Sequence, residues 1–330
     1  MPENRKDLSD SKRKKPMTPR EKVLDFIWTI VSAWGIAYVI QLFLVGAYQV
    51  PTQSMMPQIF VGDIMMMEKI SLGSWLPVIH LKLPGFGKLS RGDVAAFVSP
   101  EWENPGWIKE LVSSFTLSLA PLDNTPENPK YLVKRFVGMP GDRLRMINGR
   151  LVRNGMPIPS TPVGNVREPV KKLSQTESVQ DFDLFEENDN GKKRVIQHLP
   201  RDIHLARAEV YDFDEVLVPR KGVKYVLADL TPFNCGLLKL LVERESGQTL
   251  EILDGHWYLR GKEITEWKPR EDYYFAMGDN RDFSYDSRYF GFVPAHSIFG
   301  KPIFRYFPFN RLALDTTEKA DTALKRNYGK

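Results

Sequence analysis

From Phe26 to Tyr48 the chain reads FIWTIVSAWGIAYVIQLFLVGAY, 23 residues without a charged side chain. Apolar residues occur on every face of a helix built on this run, so no side of it suits water. At a rise of about 1.5 Å per residue it would be roughly 34 Å long, enough to cross a hydrocarbon core of about 30 Å. Trp28 near one end and Tyr48 at the other suit the two membrane interfaces. A buried helix of a soluble protein and a cleaved secretory leader are the competing readings. The all-round apolar surface opposes the first. The length of the run, and the lack of a small-x-small site after it, oppose the second. The expectation is one transmembrane helix over 26–48.

Residues 1–25 carry Arg5, Lys6, Lys12, Arg13, Lys14, Lys15, Arg20 and Lys22. The excess of positive charge on the cytoplasmic side of membrane helices puts this basic N-terminus in the cytoplasm. A single pass then puts everything after residue 50 on the far side. Two shorter apolar runs, Trp75–Phe86 and Leu111–Leu122, are too short to cross. Each either dips into the membrane interface or packs on the core.

The rest of the chain has the material for a folded domain, with 42% hydrophobic and 12% aromatic residues in 330. A formal net charge of +5 is too small an excess to indicate nucleic acid as a partner. Cys235 is the only cysteine, which excludes an intrachain disulfide and a Cys-rich metal site and reads best as a packing residue. The histidines His80, His198, His204, His256 and His296 are scattered and form no HExxH zinc motif. No metal or cofactor is expected.

After the anchor, short apolar runs alternate with turns. Asp63–Lys69, Val94–Val98, Tyr131–Val137, Arg143–Ile147, Leu151–Arg153, Tyr273–Met277 and Pro302–Phe307 read as strands. Asn148-Gly149 and Asn154-Gly155 are tight-turn signals, the first joining a hairpin. The fold class is mainly β: an N-terminal transmembrane helix, then a catalytic β domain over 50–155 and 271–310. Residues 156–270 read as an inserted, non-catalytic β-rich unit, with strands at Lys224–Ala228, Leu250–Leu253 and His256–Arg260. Its polar run ESVQDFDLFEENDNGKKR reads as a solvated loop, and 311–330 as a polar tail.

Three local patterns carry chemistry. Ser54 sits between Pro51 and Pro57 in the turn PTQSMMP, close behind the membrane run. An extended chain covers at most about 3.3–3.6 Å per residue, so Ser54 lies within about 20 Å of the bilayer surface. Taken alone, it is a turn serine. Lys134 alternates with Leu132 and Phe136 on one face of a strand. An ammonium there is either desolvated, which lowers its pKa, or reaches out to water from a strand edge. To serve as a base it must fall from about 10.4 toward roughly 7–8. Arg135 points the other way. The third pattern is GDNRDFSYDSRYFG, dense in polar groups directly after an apolar strand. Taken alone, its Asp286 and Arg288 make an ordinary surface pair, which contributes little.

In this order, PTQSMMP followed by GD, then RGDV, KRFVGMPGD with a downstream NG, and GDNRDFSYDSRYFG resemble the bacterial type I signal peptidases. The resemblance covers Pro51–Lys69, Arg91–Val98, Tyr131–Gly155 and Gly278–Gly300. It implies a Ser/Lys serine endopeptidase that removes signal peptides from exported preproteins after a small-x-small site. It makes Ser54 the nucleophile and Lys134 the general base. Ser284 would bond and orient the lysine amine. Asp286, Arg288, Asp279 and Arg281 would support the site, and the Ser54 N–H would donate to the oxyanion. Thr52 stands where the family usually has a second oxyanion serine; it keeps the hydroxyl, while its methyl restricts χ1. Met55, Met56, Ile64, Leu132 and Phe136 are candidates to line the substrate cleft. The implied setting is the cytoplasmic (inner) membrane with the catalytic domain on its periplasmic side, near the protein export machinery. Two other classes share parts of the pattern. A self-cleaving Ser/Lys protein of the LexA kind would be cytoplasmic and carry a DNA-binding module. A membrane-tethered scaffold would not need the full set of Ser54, Lys134, Ser284, Asp286 and Arg288. A peptidase with specialised clients stays open through the insertions at 71–90 and 99–130.

Overall fold

The structure is a computed structural model, and residues 17–116, 122–125, 128–171, 177–200, 212–228, 230–309 and 312 are described. Most of the basic N-terminus, part of the second short apolar run, His204 and nearly all of the polar tail lie outside them.

Helix α1 spans Pro19–Phe43, so it begins before the uncharged run and ends inside it. Thr18 caps its first turn, Glu21 closes the capping box, and Pro19 stands where a missing N–H does no harm. It is long and apolar enough to cross a membrane, and no residue of its most apolar stretch is buried. The end of the run behaves differently. Val45–Gln49 is a strand, and Tyr48, expected at an interface, packs its ring on Tyr131 and Phe299 instead.

The architecture is mainly β, as the sequence implies. The central sheet orders its strands as Val45–Gln49, Ile64–Glu68, Ile298–Phe307, Val94–Val98, Tyr131–Gly138, Tyr273–Met277 and Val293–Pro294. All of its pairings are antiparallel. The strand Val94–Val98 is apolar throughout because it is buried on both faces. Val94, Ala96 and Val98 join one core with Met55, Met65 and Phe299. Ala95 and Phe97 join a second with Phe136, Phe290 and Ile298.

The middle block divides into two parts. Its first part is a three-stranded antiparallel sheet of Ser160–Lys171, Glu177–Asp189 and Lys192–His198. The run expected to be a solvated loop is therefore a strand pair. Its second part contains the helix Pro232–Ser246, which the strand-based reading missed. That part shares one core with the flanking chain: Leu237, Leu241 and Trp257 pack with Leu144, Leu151, Phe275 and Phe292. The strand Phe213–Leu217 also pairs with Arg143–Ile147. Cys235 lies on this helix, half-buried against that core, and burial pushes its thiol up.

Candidate active site

The turn holding Ser54 is fixed at several points. Val50 N–H donates to the Asp63 carbonyl at 2.8 Å and Gly62 N–H to the Val50 carbonyl at 2.9 Å, closing the loop. The buried Asp63 carboxylate accepts from Phe60 N–H at 2.9 Å and from Arg305 at 3.0 Å. Arg305 also donates to the Gln58 carbonyl at 3.1 Å. Met55 anchors the turn from below by burying its side chain in the core. On the other side, Asn280 N–H donates to the Ser54 carbonyl at 3.1 Å, and the Asn280 side chain to the Gln53 carbonyl at 3.2 Å.

Lys134 approaches from the strand Tyr131–Gly138. Its Cα pairs with that of Ala95, and Leu132 with Phe97, so its side chain leaves from an apolar face. The amine donates to Ser54 Oγ, and both residues are buried, at 3% and 5% exposure. Burial lowers the Lys134 pKa to about 8. The charges of Asp286 and Asp279 oppose that fall, and Arg288 assists it. Thr52 Oγ1 lies 3.2 Å from Ser54 Oγ.

Neither aspartate belongs to the lysine. Arg135, buried on the opposite face of its strand, grips Asp279 with two bonds of 2.7 Å and donates to the Gly92 carbonyl at 2.6 Å. Arg288 grips Asp286 with two bonds of 2.9 Å, and Asp286 also accepts from Gly278 N–H at 3.0 Å. Burial acts to raise the Asp286 carboxyl, but the Arg288 charge and these bonds outweigh it and the net shift is downward. Asp286 and Arg288 are therefore a buried, fully bonded pair, unlike the exposed pair that the local pattern alone suggests.

Gly278 lets the two loops meet. A Cβ there would stand 2.3 Å from Ser284 Oγ and 2.4 Å from the Ser54 carbonyl, distances that no side chain survives. Ser284 is buried at this contact. Its hydroxyl makes no hydrogen bond of normal geometry, to Lys134 or to any other group, although it still acts on the Asp286 carboxyl. Of the proposed cleft residues, Met55 and Phe136 are in the cores, Met56 is buried, and Ile64 and Leu132 are half-buried. No described histidine hydrogen-bonds Ser54 or Lys134; His80, His256 and His296 each face a glutamate. Among the described residues, no group of three or more His, Cys, Asp or Glu is placed to hold a metal ion.

Sequence reasoning missed one support. Gln197 N–H donates to the Asp279 carbonyl at 2.9 Å and Arg281 N–H to the Gln197 carbonyl at 3.0 Å, so the strand Lys192–His198 runs into the loop after Met277. Arg281 donates to the Glu187 carboxylate at 2.9 Å, and Arg194 shares that carboxylate at 2.9 Å. Asp189 is gripped in turn by Arg153, at 2.9 and 2.5 Å. Every member of this network is buried. The only local signal is the matching of acids in Glu177–Asp189 with bases in Lys192–His198, two strands joined by a tight turn at Asn190-Gly191.

The sequence profile of the signal peptidases, peptidase S26, matches residues 23–207 and 246–307, well over half of the chain. The unmatched stretch contains the helix Pro232–Ser246 almost whole. Signal peptidase I of Buchnera aphidicola (from Acyrthosiphon pisum) is 26% identical over 275 residues, covering 83% of this chain and 72% of that one. That of Haemophilus influenzae is 25% identical over 299 residues, covering 90% and 72%. That of Helicobacter pylori is 24% identical over 318 residues, covering 93% and 91%. A crystal structure of a signal peptidase I from Enterococcus faecalis covers 65% of this chain and 96% of its own at 16% identity, with a TM-score of 0.22, too low to bear on the fold. The chain belongs to the signal peptidase family, with relatives named signal peptidase I, and its helix α1 is long and apolar enough to anchor it in a membrane.

Proposed function

We propose that this member of the signal peptidase family cuts preproteins with Ser54 as nucleophile and Lys134 as general base. The observation that carries the proposal is the Lys134 amine on Ser54 Oγ, both buried, with each nearby carboxylate already held by an arginine. An ammonium in that position titrates close to neutral pH, as a general base must. The neutral amine accepts the Ser54 hydroxyl proton as Oγ attacks the scissile carbonyl. The resulting oxyanion is met by the Ser54 N–H and by the Thr52 hydroxyl, 3.2 Å from Ser54 Oγ. Collapse expels the new amine, which takes its proton from Lys134, and leaves an acyl-enzyme. Lys134 then deprotonates water to release the signal peptide and restore Ser54.

Asp279, Arg281, Asp286 and Arg288 act as positioning residues, holding the loop that carries Gly278 and Asn280 against the serine turn. In this reading Ser284, buried against Gly278 and acting on the Asp286 carboxyl, helps hold the loop that faces the lysine. The substrate lies as an extended strand with small residues at its −1 and −3 positions, over Ile64 and Leu132, with Met55, Met56 and Phe136 forming the floor. Basic residues before the helix and in its first turn, Arg20 and Lys22 among the latter, put the N-terminus in the cytoplasm and the catalytic domain on the periplasmic side of the inner membrane, where preproteins emerge from the export machinery. The bilayer and signal-peptide-bearing preproteins are the expected partners.

The test uses full-length protein in detergent with a purified preprotein. Cleavage after the small-x-small site is expected, and Ser54→Ala or Lys134→Ala should each abolish it. Full activity in either variant would sink the assignment.

A further inference from the structure

Helix α2, Trp107–Phe115, is built inside out for a protein in water. Glu110 and Ser113 face inward and are buried, while Trp107, Ile108, Leu111, Val112 and Phe115 are between 38% and 63% exposed. The inward polar face is specifically bonded. Glu110 accepts from Lys130 at 2.6 Å and pairs with His80 at 2.8 Å. Ser114 Oγ lies 3.0 Å from the Tyr38 hydroxyl of α1. The orientation is therefore fixed, and the apolar face is a contiguous outward stripe. Surface apolar residues are normally scattered singly, so a stripe of this kind marks an interaction surface.

What covers it is indicated by its neighbour. The Phe115 ring packs on Trp34 of α1 at 4.2 Å between centroids and lies 6.4 Å from Tyr38. Trp34 lies nine residues before the end of α1 at Phe43, which at about 1.5 Å per residue is roughly 13 Å along the helix axis. If α1 crosses a hydrocarbon core of about 30 Å, that contact is below the membrane surface. The tip of the hairpin Trp75–Lys82 adds Ile79, 65% exposed, next to the His80 that binds Glu110.

We propose that α2 and the Ile79 tip lie in the lipid bilayer as a second, non-spanning attachment beside α1. The occupant of the stripe is acyl chain, with Trp107 at the headgroup level and Phe115 at the deeper end. A helix that sinks its apolar face about 5–10 Å past the headgroups would expose the surface seen here. The inference rests on the membrane-anchor reading of α1. It adds that the catalytic domain is held in a fixed attitude to the membrane, and does not swing on one tether.

The test uses the full chain with Cys235→Ser, reconstituted in vesicles of phosphatidylcholine and phosphatidylglycerol. An environment-sensitive fluorophore is placed at Val112→Cys, at Ile108→Cys as an independent second site, at Val31→Cys in α1, and at Leu253→Cys as an aqueous baseline. Lipids carrying a nitroxide on the acyl chain serve as the quencher. The expected result is blue-shifted emission and strong quenching at Val112 and Ile108, approaching that at Val31, with little at Leu253. Quenching at Val31 with none at Val112 or Ile108 would overturn the proposal and leave the anchor intact. Val112 crosslinking to a second copy in place of lipid quenching would likewise overturn it. No quenching at Val31 would overturn the anchor reading and this inference with it.

Discussion

Lys130 and Lys134 lie four residues apart on one stretch of chain, and both are buried. Their surroundings give them opposite jobs. Lys130 meets Glu110 at 2.6 Å and Asp123 at 2.5 Å, and its ammonium stands 4.4 Å from the centre of the Trp102 ring. Two carboxylates and an aromatic face surround its amine, and it ties α2 to the sheet. Lys134 meets a serine hydroxyl, and the carboxylates near it are each held by an arginine. Lys69 supplies a third case. Burial also lowers it to about 8, but it donates to the Gln41 carbonyl at 2.6 Å, which offers no proton to remove. Burial sets up a base only where a nucleophile is the neighbour and no carboxylate is free to neutralise the charge.

The largest expected effect breaks that comparison at the serine. Ser54→Ala and Lys134→Ala should each lower kcat by roughly 10,000-fold or more in a preprotein cleavage assay, whereas Lys130→Met should leave chemistry in the surviving folded enzyme largely intact. Stability should reverse the ranking. Lys130→Met strands the buried Glu110 and Asp123 carboxylates and should destabilise by about 3–5 kcal/mol in denaturant titration. Lys134→Met removes an ammonium whose burial costs about 3 kcal/mol, from a pKa of about 8 against the usual 10.5. The variant should therefore be more stable than the parent near pH 7, by up to that amount. The sign follows from proton counting. Between pH 8 and 10.5 the unfolded chain binds more protons at this lysine, so the parent gains stability as pH rises and the advantage of Lys134→Met shrinks.

How these features were written into the sequence explains which were legible. Ser54 in its Pro-bracketed turn, Lys134 alternating with Leu132 and Phe136, and Asp286 two residues from Arg288 are local patterns, and the structure brings all of them to one place. The partners Arg135 and Asp279, 144 residues apart, and Arg281 and Glu187, 94 apart, have no local signature. The hairpin of Glu177–Asp189 and Lys192–His198 was hidden for a related reason. Its charges suggest a solvated loop, yet Glu187, Asp189 and Arg194 are buried because they satisfy one another and the arginines Arg153 and Arg281, distant in the chain. The end of α1 was misplaced because Val45–Tyr48 is as apolar as the helix before it. Those residues enter the sheet through backbone pairing with Met65–Glu68, which hydropathy does not register.

Two smaller effects sharpen the comparison. Thr52→Val keeps the shape and removes the hydroxyl beside Ser54, and should lower kcat by about 100- to 1,000-fold, with KM little changed. Thr52→Ser should stay within a few-fold of the parent. Glu187→Gln removes the charge shared by Arg194 and Arg281 and should destabilise by about 1–3 kcal/mol. It should also lower kcat through the loop that carries Asp279, while the midpoint of the pH profile stays in place.

That midpoint is the most direct test of the central claim, that Lys134 is the base because it is buried without a carboxylate of its own. The measurement is kcat/KM for preprotein cleavage across the pH range in which the fold persists. A single ionisation with its midpoint at about 8, activity rising as the amine becomes neutral, is the predicted result, unchanged in a folded Lys130 variant. A profile flat through that region, or a midpoint at the ordinary lysine value of about 10.4, would contradict it.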